Sequence, residues 1–434
     1  MKIMIMDNWL ARAACVWICF IVMTAMTDSV FAEDLTDEAA QIFEQSKHEV
    51  FQIKVIDLST GEKSSTGSGF YISDQGHMAT NYHVVSSYVM KPDKYQVEYI
   101  GAKGVSGTLN LIYFDVVHDL AVLQSDQTQT PFLSLGNSQM DKGARIFSMG
   151  NPHDLGMSII EGIFNGVMDK SSYRKILFSG SLNPGMSGGP ALNHKGEVIG
   201  INVATMGNAV SFLVPVEFLR VILDKVLDDK FEPVEVWDDL IEEQLLDNQN
   251  QFVDDLLNSD WPSLTIGDAT VPGEIGNSVK CWSNTLDKEK NLFIKVTADC
   301  QSTDYVFLSD EIYTAYYAHW FMLYKERENN PLRLYNHMEK DLANSFSFYN
   351  EEDDNLTTFN CYTDFVKSNG RTWKTVLCIR QYKKYEQLFD GNLLITTTDD
   401  LEEGLMGQMI FMGISQEKVL QLVERFMGEI RWEE

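Results

Sequence analysis

His83, Asp119 and Ser187 are the residue types needed to take a proton off an alcohol and aim the oxygen at a carbonyl. Ser187 lies in "SLNPGMSGGP" (181–190), a turn too rich in glycine for a helix or a regular strand. A serine attacking a carbonyl creates an oxyanion, which needs two preorganised N–H donors. Gly185 and Gly188 let the chain turn tightly enough to aim the amides of Gly185 and Ser187 at one point. His83 follows "HMATN" and precedes Val84 and Val85, which suit a packed floor beneath an open ring. Asp119 stands directly before the apolar run "LAVLQ", where a buried carboxylate needs a donor such as an imidazole N–H. Asp115 competes for that role, and His118 beside it reads as a surface residue. Each feature alone has an ordinary structural explanation; their joint presence in this order is what points to acyl transfer.

These residues need a scaffold that fixes them from distant parts of the chain. From Val50 to about Leu227 the pattern is a series of short apolar or alternating runs, among them "VFQIKVID", "GFYIS", "YQVEYI", "GTLNLIYF", "RIFSMG", "EVIGINVA" and "SFLVPV". Turn residues separate most of them, which predicts a barrel or a sandwich. "GFYISDQGHMATN" reads as two strands around a tight turn, delivering His83 to a strand end. A helix is expected over 34–49, and another over 215–229 with Phe218, Val221, Ile222 and Val226 on one face.

The segments "TNYHVV", "HDLAVL", "GNPHDLGMSIIEGIFNGV", "GMSGGPALN" and "GEVIGINVA" resemble the signature segments of trypsin-like serine proteases of the HtrA/Deg branch, over roughly residues 46–228. The resemblance implies two packed six-stranded β-barrels, chymotrypsin-like, with the site in the cleft between them. It makes His83 the general base, Asp119 its orienting acid and Ser187 the nucleophile, with Gly185 and Ser187 amides as the oxyanion hole. It also implies a primary pocket along 201–205, walled by Asn202, Val203, Ala204, Ser211, Phe212 and Leu213, where substrate pairs as an added strand. No pocket aspartate is evident, so small or medium apolar side chains are expected there. Two departures stand out. Met186 precedes the serine where digestive relatives carry an aspartate, and no PDZ-type carboxylate loop is found in 230–434. No metal or cofactor is expected.

The chain has 434 residues, which predicts more than one domain, and a net charge of −29, which disfavours binding to nucleic acid. The first 32 residues carry Lys2 and Arg12, an apolar run from Ala13 to Met26 and small residues at Val30 and Ala32, the pattern of a cleaved export signal. The run is short for a membrane anchor, the rival reading. Residues 229–260 read as an acidic helical connector with a solvated face, and 261–434 as an α+β domain with an antiparallel sheet and a final helix over 415–430. The aromatic stretch 313–324 reads as core. Cys281, Cys300, Cys361 and Cys378 remain after the signal; in an oxidising compartment they make two disulfides. Sequence allows three connectivities, and the local pairing 281–300 and 361–378 is expected because each closes a hairpin-sized loop. A zinc site is the rival, but no C-x-x-C occurs among them.

The expected activity is that of an exported serine endopeptidase, periplasmic or secreted, acting on polypeptides, unfolded proteins among them. A catalytically silent protease-fold binder or chaperone is the alternative. Sequence leaves open the natural substrate, the oligomeric state and the role of 261–434.

Overall fold

A computed structural model describes residues 34–432 except 169–170, 208, 235, 288–292, 329 and 346–354. The export-signal reading therefore lies outside the described residues. Among the described residues no helix is long and apolar enough to cross a membrane.

Helix α1 (Asp34–Ser46) leads into two closed antiparallel barrels. The first holds β1 (Val50–Asp57), β2 (Lys63–Tyr71), β3 (His77–Thr80), β4 (Tyr95–Ile100), β5 (Ser106–Asp115) and β6 (Leu120–Gln124), in the order β1-β2-β3-β6-β5-β4. The second holds β7 (Arg145–Gly150), β8 (Ser158–Val167), β9 (Ile176–Phe178), β10 (Pro190–Leu192), β11 (Val198–Gly207) and β12 (Val210–Pro215), in the order β10-β11-β12-β9-β8-β7. Closure removes the free edges that such short strands would otherwise expose. The fold is mainly β, with the two six-stranded barrels that the resemblance implied.

Three local expectations are corrected. His83 does not cap a strand: β3 ends at Thr80, and Tyr82–Met90 form helix α2, with His83 in its first turn. Its Val-Val pair favours strand locally, but burial of Tyr82, Val84, Val85 and Val89 against the first barrel overrides that preference. Helix α3 (Val216–Val226) exists, but its buried face is Val216, Leu219, Ile222, Leu223 and Val226. Val221 points outward at 69% exposure, because the side of the helix that packs into the core is the one carrying Val216, Leu219, Ile222 and Leu223. Helix α4 (Trp237–Asn258) is more than a solvated acidic connector. Its Leu240, Ile241 and Leu245 join the core of the first barrel, and its Phe252, Val253 and Leu256 join the core of the C-terminal sheet.

The C-terminal part begins with β13 (Ser263–Ile266) and β14 (Ala269–Pro272). There follow β15 (Val279–Leu286), β16 (Phe293–Ser302), the hairpin β17 (Val306–Ser309) and β18 (Ile312–Thr314), β19 (Tyr316–Glu326) and helix α5 (Pro331–Ser345). The chain then forms β20 (Asn360–Ser368), β21 (Arg371–Gln381), β22 (Phe389–Thr397), β23 (Glu403–Ile414), helix α6 (Gln416–Gly428) and β24 (Arg431–Trp432). Seven of these strands make one antiparallel sheet, β15-β16-β19-β23-β22-β21-β20. The aromatic stretch supplies Tyr317, Phe321 and Tyr324 to buried positions, while Tyr313 stays 44% exposed. Cys281 pairs with Cys300 and Cys361 with Cys378 directly across neighbouring strands, with sulfurs 2.02 and 2.08 Å apart. Both are disulfides with the local connectivity expected. His319, opposite Cys300 on β19, is buried beside the first of them.

Candidate active site

Helix α2 starts with unsatisfied backbone donors, as every helix does. Its N-cap residue, Asn81, does not cap it; the Asn81 side-chain amide instead donates to the Asp119 carbonyl at 2.8 Å. The vacant capping position is filled from the turn between β5 and β6. Asp119 Oδ1 accepts the His83 backbone N–H at 2.8 Å, while Asp119 Oδ2 lies 2.7 Å from His83 Nδ1. One carboxylate thus fixes both the helix start and the imidazole ring. To do so Asp119 takes a left-handed conformation, φ 56°, which aspartate tolerates better than most residues. Asp115, the competing acid, is engaged elsewhere: its Oδ2 lies 2.6 Å from His118 Nδ1. The His118 ring stacks on Phe218 at 3.7 Å.

Burial works against a charged His83. The charge and hydrogen bond of Asp119, with a further contribution from the charge of Asp310, outweigh it and hold the imidazolium above its ordinary pKa of 6.5.

Ser187 lies within a turn in which Gly185 has φ 94° and Gly188 has φ 84°. A Cβ on Gly185 would run into the Asn151 carbonyl, and one on Gly188 into Thr80 and the Ser68 carbonyl. The Pro184 carbonyl accepts the His153 N–H at 2.8 Å. In a trans peptide the N–H opposes the C=O, so the Gly185 N–H faces the other way. Likewise the Met186 carbonyl accepts from Gly189 N at 3.1 Å and Asn202 Nδ2 at 3.2 Å, which turns the Ser187 N–H outward. Among the described residues neither amide has a backbone acceptor. Met186 itself is fully buried in the second barrel, so the loop is anchored by apolar packing at that position.

The Ser187 hydroxyl donates to the Val203 carbonyl at 3.0 Å. The His83–Asp119 pair is therefore assembled, while the serine oxygen rests on β11. Any attack by this hydroxyl on a carbonyl first gives up its bond to Val203. The bond to be exchanged contributes about 0.5–1.5 kcal/mol net.

Of the expected pocket residues, Val203 and Phe212 keep partial exposure. Ala204 lies on β11 and pairs with Phe212 across to β12. Asn202, Ser211 and Leu213 have no exposed surface. Asn202 spends its side chain on Ser148, Met149 and Met186, and Ser211 on the Gly180 carbonyl at 2.7 Å. Leu213 belongs to the core of the second barrel. These three stand one layer behind any surface that a substrate would touch.

Sequence reasoning missed Ser68. This buried residue of β2 donates from its backbone N–H to the Ser187 carbonyl at 2.7 Å and from its hydroxyl to the Gly185 carbonyl at 2.7 Å. The hydroxyl also accepts the Asn151 N–H at 2.9 Å. Ser68 thereby ties the first barrel to the serine loop of the second. The signal was the small-residue run "GSG" at 67–69, where a Cβ on Gly67 would collide with Val84 and one on Gly69 with the Ala79 carbonyl of β3.

Two closed six-stranded antiparallel barrels are the architecture of the trypsin-like fold. Residues 67–201 match the family described as trypsin-like peptidase domain. A DegP-like protein of Chlamydia trachomatis, named for a periplasmic serine endoprotease, is 30% identical over 176 residues, which cover 38% of this chain and 34% of that one. "Protease Do-like 1, chloroplastic" of Arabidopsis thaliana is 28% identical over 205 residues, 42% of this chain and 43% of that one. The solved serine endoprotease from Yersinia pestis aligns over 44% of this chain and 67% of its own, at 26% identity and a TM-score of 0.39. This part of the chain is therefore similar to trypsin-like peptidase domains and to DegP-like relatives of the HtrA branch. The chain spans about a third of the length of the DegP-like relatives it matches.

Proposed function

We propose that the protein is a serine endopeptidase that cleaves polypeptides through an acyl-enzyme, with His83 as base, Asp119 as orienting acid and Ser187 as nucleophile. The observation that carries this reading is the double hold of Asp119 on His83, through Nδ1 at 2.7 Å and the backbone N–H at 2.8 Å. It leaves Nε2 as the ring nitrogen open to accept a proton. The Ser187 hydroxyl leaves Val203, passes its proton to Nε2 and attacks the scissile carbonyl. The amides of Gly185 and Ser187 receive the oxyanion. The imidazolium, steadied by Asp119, returns the proton to the leaving amine; water then repeats the sequence to release the acyl group. Release of the Val203 carbonyl frees β11 to pair with the substrate backbone, and Val203 with Phe212 favours small or medium apolar side chains.

In this reading residues 1–32 are an export signal, 33–228 the protease domain, 229–260 the helical link and 261–434 a domain acting on the same substrates, with protein quality control as the setting. The DegP-like relatives named periplasmic support export. The silent-binder alternative is not favoured, since the relatives are named proteases and the His83–Asp119 pair is assembled. Labelling with a fluorophosphonate probe tests the proposal. One probe per chain is expected on Ser187 and none on Ser187→Ala. Equal labelling of the two proteins, or full peptidase activity in Ser187→Ala, overturns it.

A further inference from the structure

The hairpin β17–β18 of the C-terminal domain reaches the candidate active site. Residues alternate faces along β17 and β18. The inner face, Val306, Leu308, Ile312 and Thr314, is buried, and the first three of these side chains join the core of the first barrel. The Tyr82 hydroxyl of α2 donates to the Leu308 carbonyl at 3.0 Å. Just before the hairpin, Asp304 is clamped to the second barrel by Lys175 Nζ at 2.6 Å, Ser171 Oγ at 2.7 Å and the Ser172 N–H at 3.0 Å. The hairpin is thus fastened to both barrels.

Its outer face is a run of aromatic rings leading to the general base. Tyr305 is 53% exposed and Tyr313 44%. Their rings lie 4.8 Å apart; Tyr313 lies 5.8 Å from Phe307, and Phe307 meets His83 edge-on at 6.1 Å. The Phe307–Tyr313 contact follows from their direct pairing across the hairpin. At the exposed turn stands Asp310, whose negative charge acts on both His83 and Tyr313. Burying such rings in the nearby core would be the default for stability, so an aromatic row held at the surface by a clamped hairpin is a candidate recognition surface. Rings flanked by a carboxylate match one side chain best: a guanidinium stacks on aromatic faces while pairing with the acid. A chain of net charge −29 also draws basic segments toward itself.

We propose that Tyr305, Phe307, Tyr313 and Asp310 form a substrate subsite, supplied by the C-terminal domain beside His83, that binds an arginine side chain of the polypeptide being cleaved. This rests on the reading of the neighbouring site as an endopeptidase. The subsite gives residues 261–434 a direct share in substrate choice, through a surface continuous with the ring that moves the proton.

The test uses the full chain and one peptide series in which a single position, scanned on either side of the scissile bond, is Arg, Lys, Gln or Leu. At the position that reaches the hairpin, kcat/KM for Arg over Gln is expected to be about tenfold or more, within the range of a desolvated cation–π contact with an added ion pair. In Tyr305→Ala/Tyr313→Ala and in Asp310→Asn that ratio falls to about one. The same ratio is read in binding, from the Kd of the Arg and Gln peptides on Ser187→Ala, which cannot turn them over. A ratio near one at every scanned position in the wild type, or a ratio that survives both hairpin variants, overturns the subsite. Arginine-selective binding to Ser187→Ala without any cleavage by the wild type instead upholds the subsite and overturns the endopeptidase reading.

Discussion

Asp119→Asn separates a carboxylate that orients a ring from one that only fills space. In the wild type Oδ1 accepts the His83 N–H and Oδ2 faces Nδ1. An asparagine has one acceptor oxygen and one donor nitrogen on that fork. If its oxygen keeps the backbone N–H, its NH₂ must face Nδ1. The ring then holds its proton on Nε2, and the nitrogen that should accept the Ser187 proton becomes a donor. If the amide flips, its NH₂ opposes the His83 N–H at the start of α2 and the cap is lost, at roughly 0.5–2 kcal/mol. The first arrangement costs less, so the unproductive tautomer dominates. Restoring the productive one leaves two donors facing each other, a mismatch of about 4–5 kcal/mol when the lost charge-assisted bond is included. At 1.36 kcal/mol per decade this predicts a fall in kcat of about 10³–10⁴ at neutral pH, with KM little changed. Steady-state cleavage of a fluorogenic peptide measures it, and thermal unfolding reports whether the helix start is intact. A loss of less than tenfold in a folded Asp119→Asn protein would refute the assignment of Asp119 as the orienting acid.

Wild-type kcat/KM should decline as pH falls through a value above 6.5, because the base must be neutral and Asp119 holds the His83 pKa up against burial; an acid limb centred below 6 contradicts this. Gly185→Ala should lower kcat by about 10²–10³, since a Cβ at φ 94° collides with the Asn151 carbonyl and shifts a proposed oxyanion donor. A variant within threefold of wild type in kcat would exclude that donor role. His319, whose pKa burial lowers to about 4, binds its proton in the unfolded chain well before it does so in the fold. Stability should therefore drop by about 3 kcal/mol as pH falls from 6.5 to 4, and His319→Phe should flatten that part of the pH–stability curve; an unchanged slope in the variant removes His319 as its cause. Reducing the two disulfides, which span sequence separations of 19 and 17, should cost about 3 kcal/mol for each bond. Denaturant titration with and without a reductant measures that loss, and coincident curves would contradict it.

Much of the protease half was legible because its constraints are local. Gly185 and Gly188 announce positive φ, "LAVLQ" announces a buried strand behind Asp119, and the spaced apolar runs announce a barrel. The cysteine spacings pointed to two hairpin disulfides for the same reason: each bond closes a short loop across adjacent strands. Helix α2 was not legible, since "YHVVSSYV" favours strand by propensity and becomes a helix only because the first barrel buries one side of it. Which side of α3 faces inward was not legible either, because apolar residues lie on more than one side and packing against the second barrel and β5 chose among them.

The sequence by itself determined which groups were available for chemistry: a serine in a turn that only glycines permit, a histidine, two candidate aspartates and four cysteines. Only the tertiary structure decided that Asp119 and not Asp115 meets His83, that Ser68 ties the serine loop to the opposite barrel, and that the 306–314 hairpin packs beside the histidine. The physical reason is range. Backbone preference and hydrophobic period act over a few residues, whereas a bond between residues 36 or 117 positions apart, or a contact between Phe307 and His83, exists only once separate cores have closed.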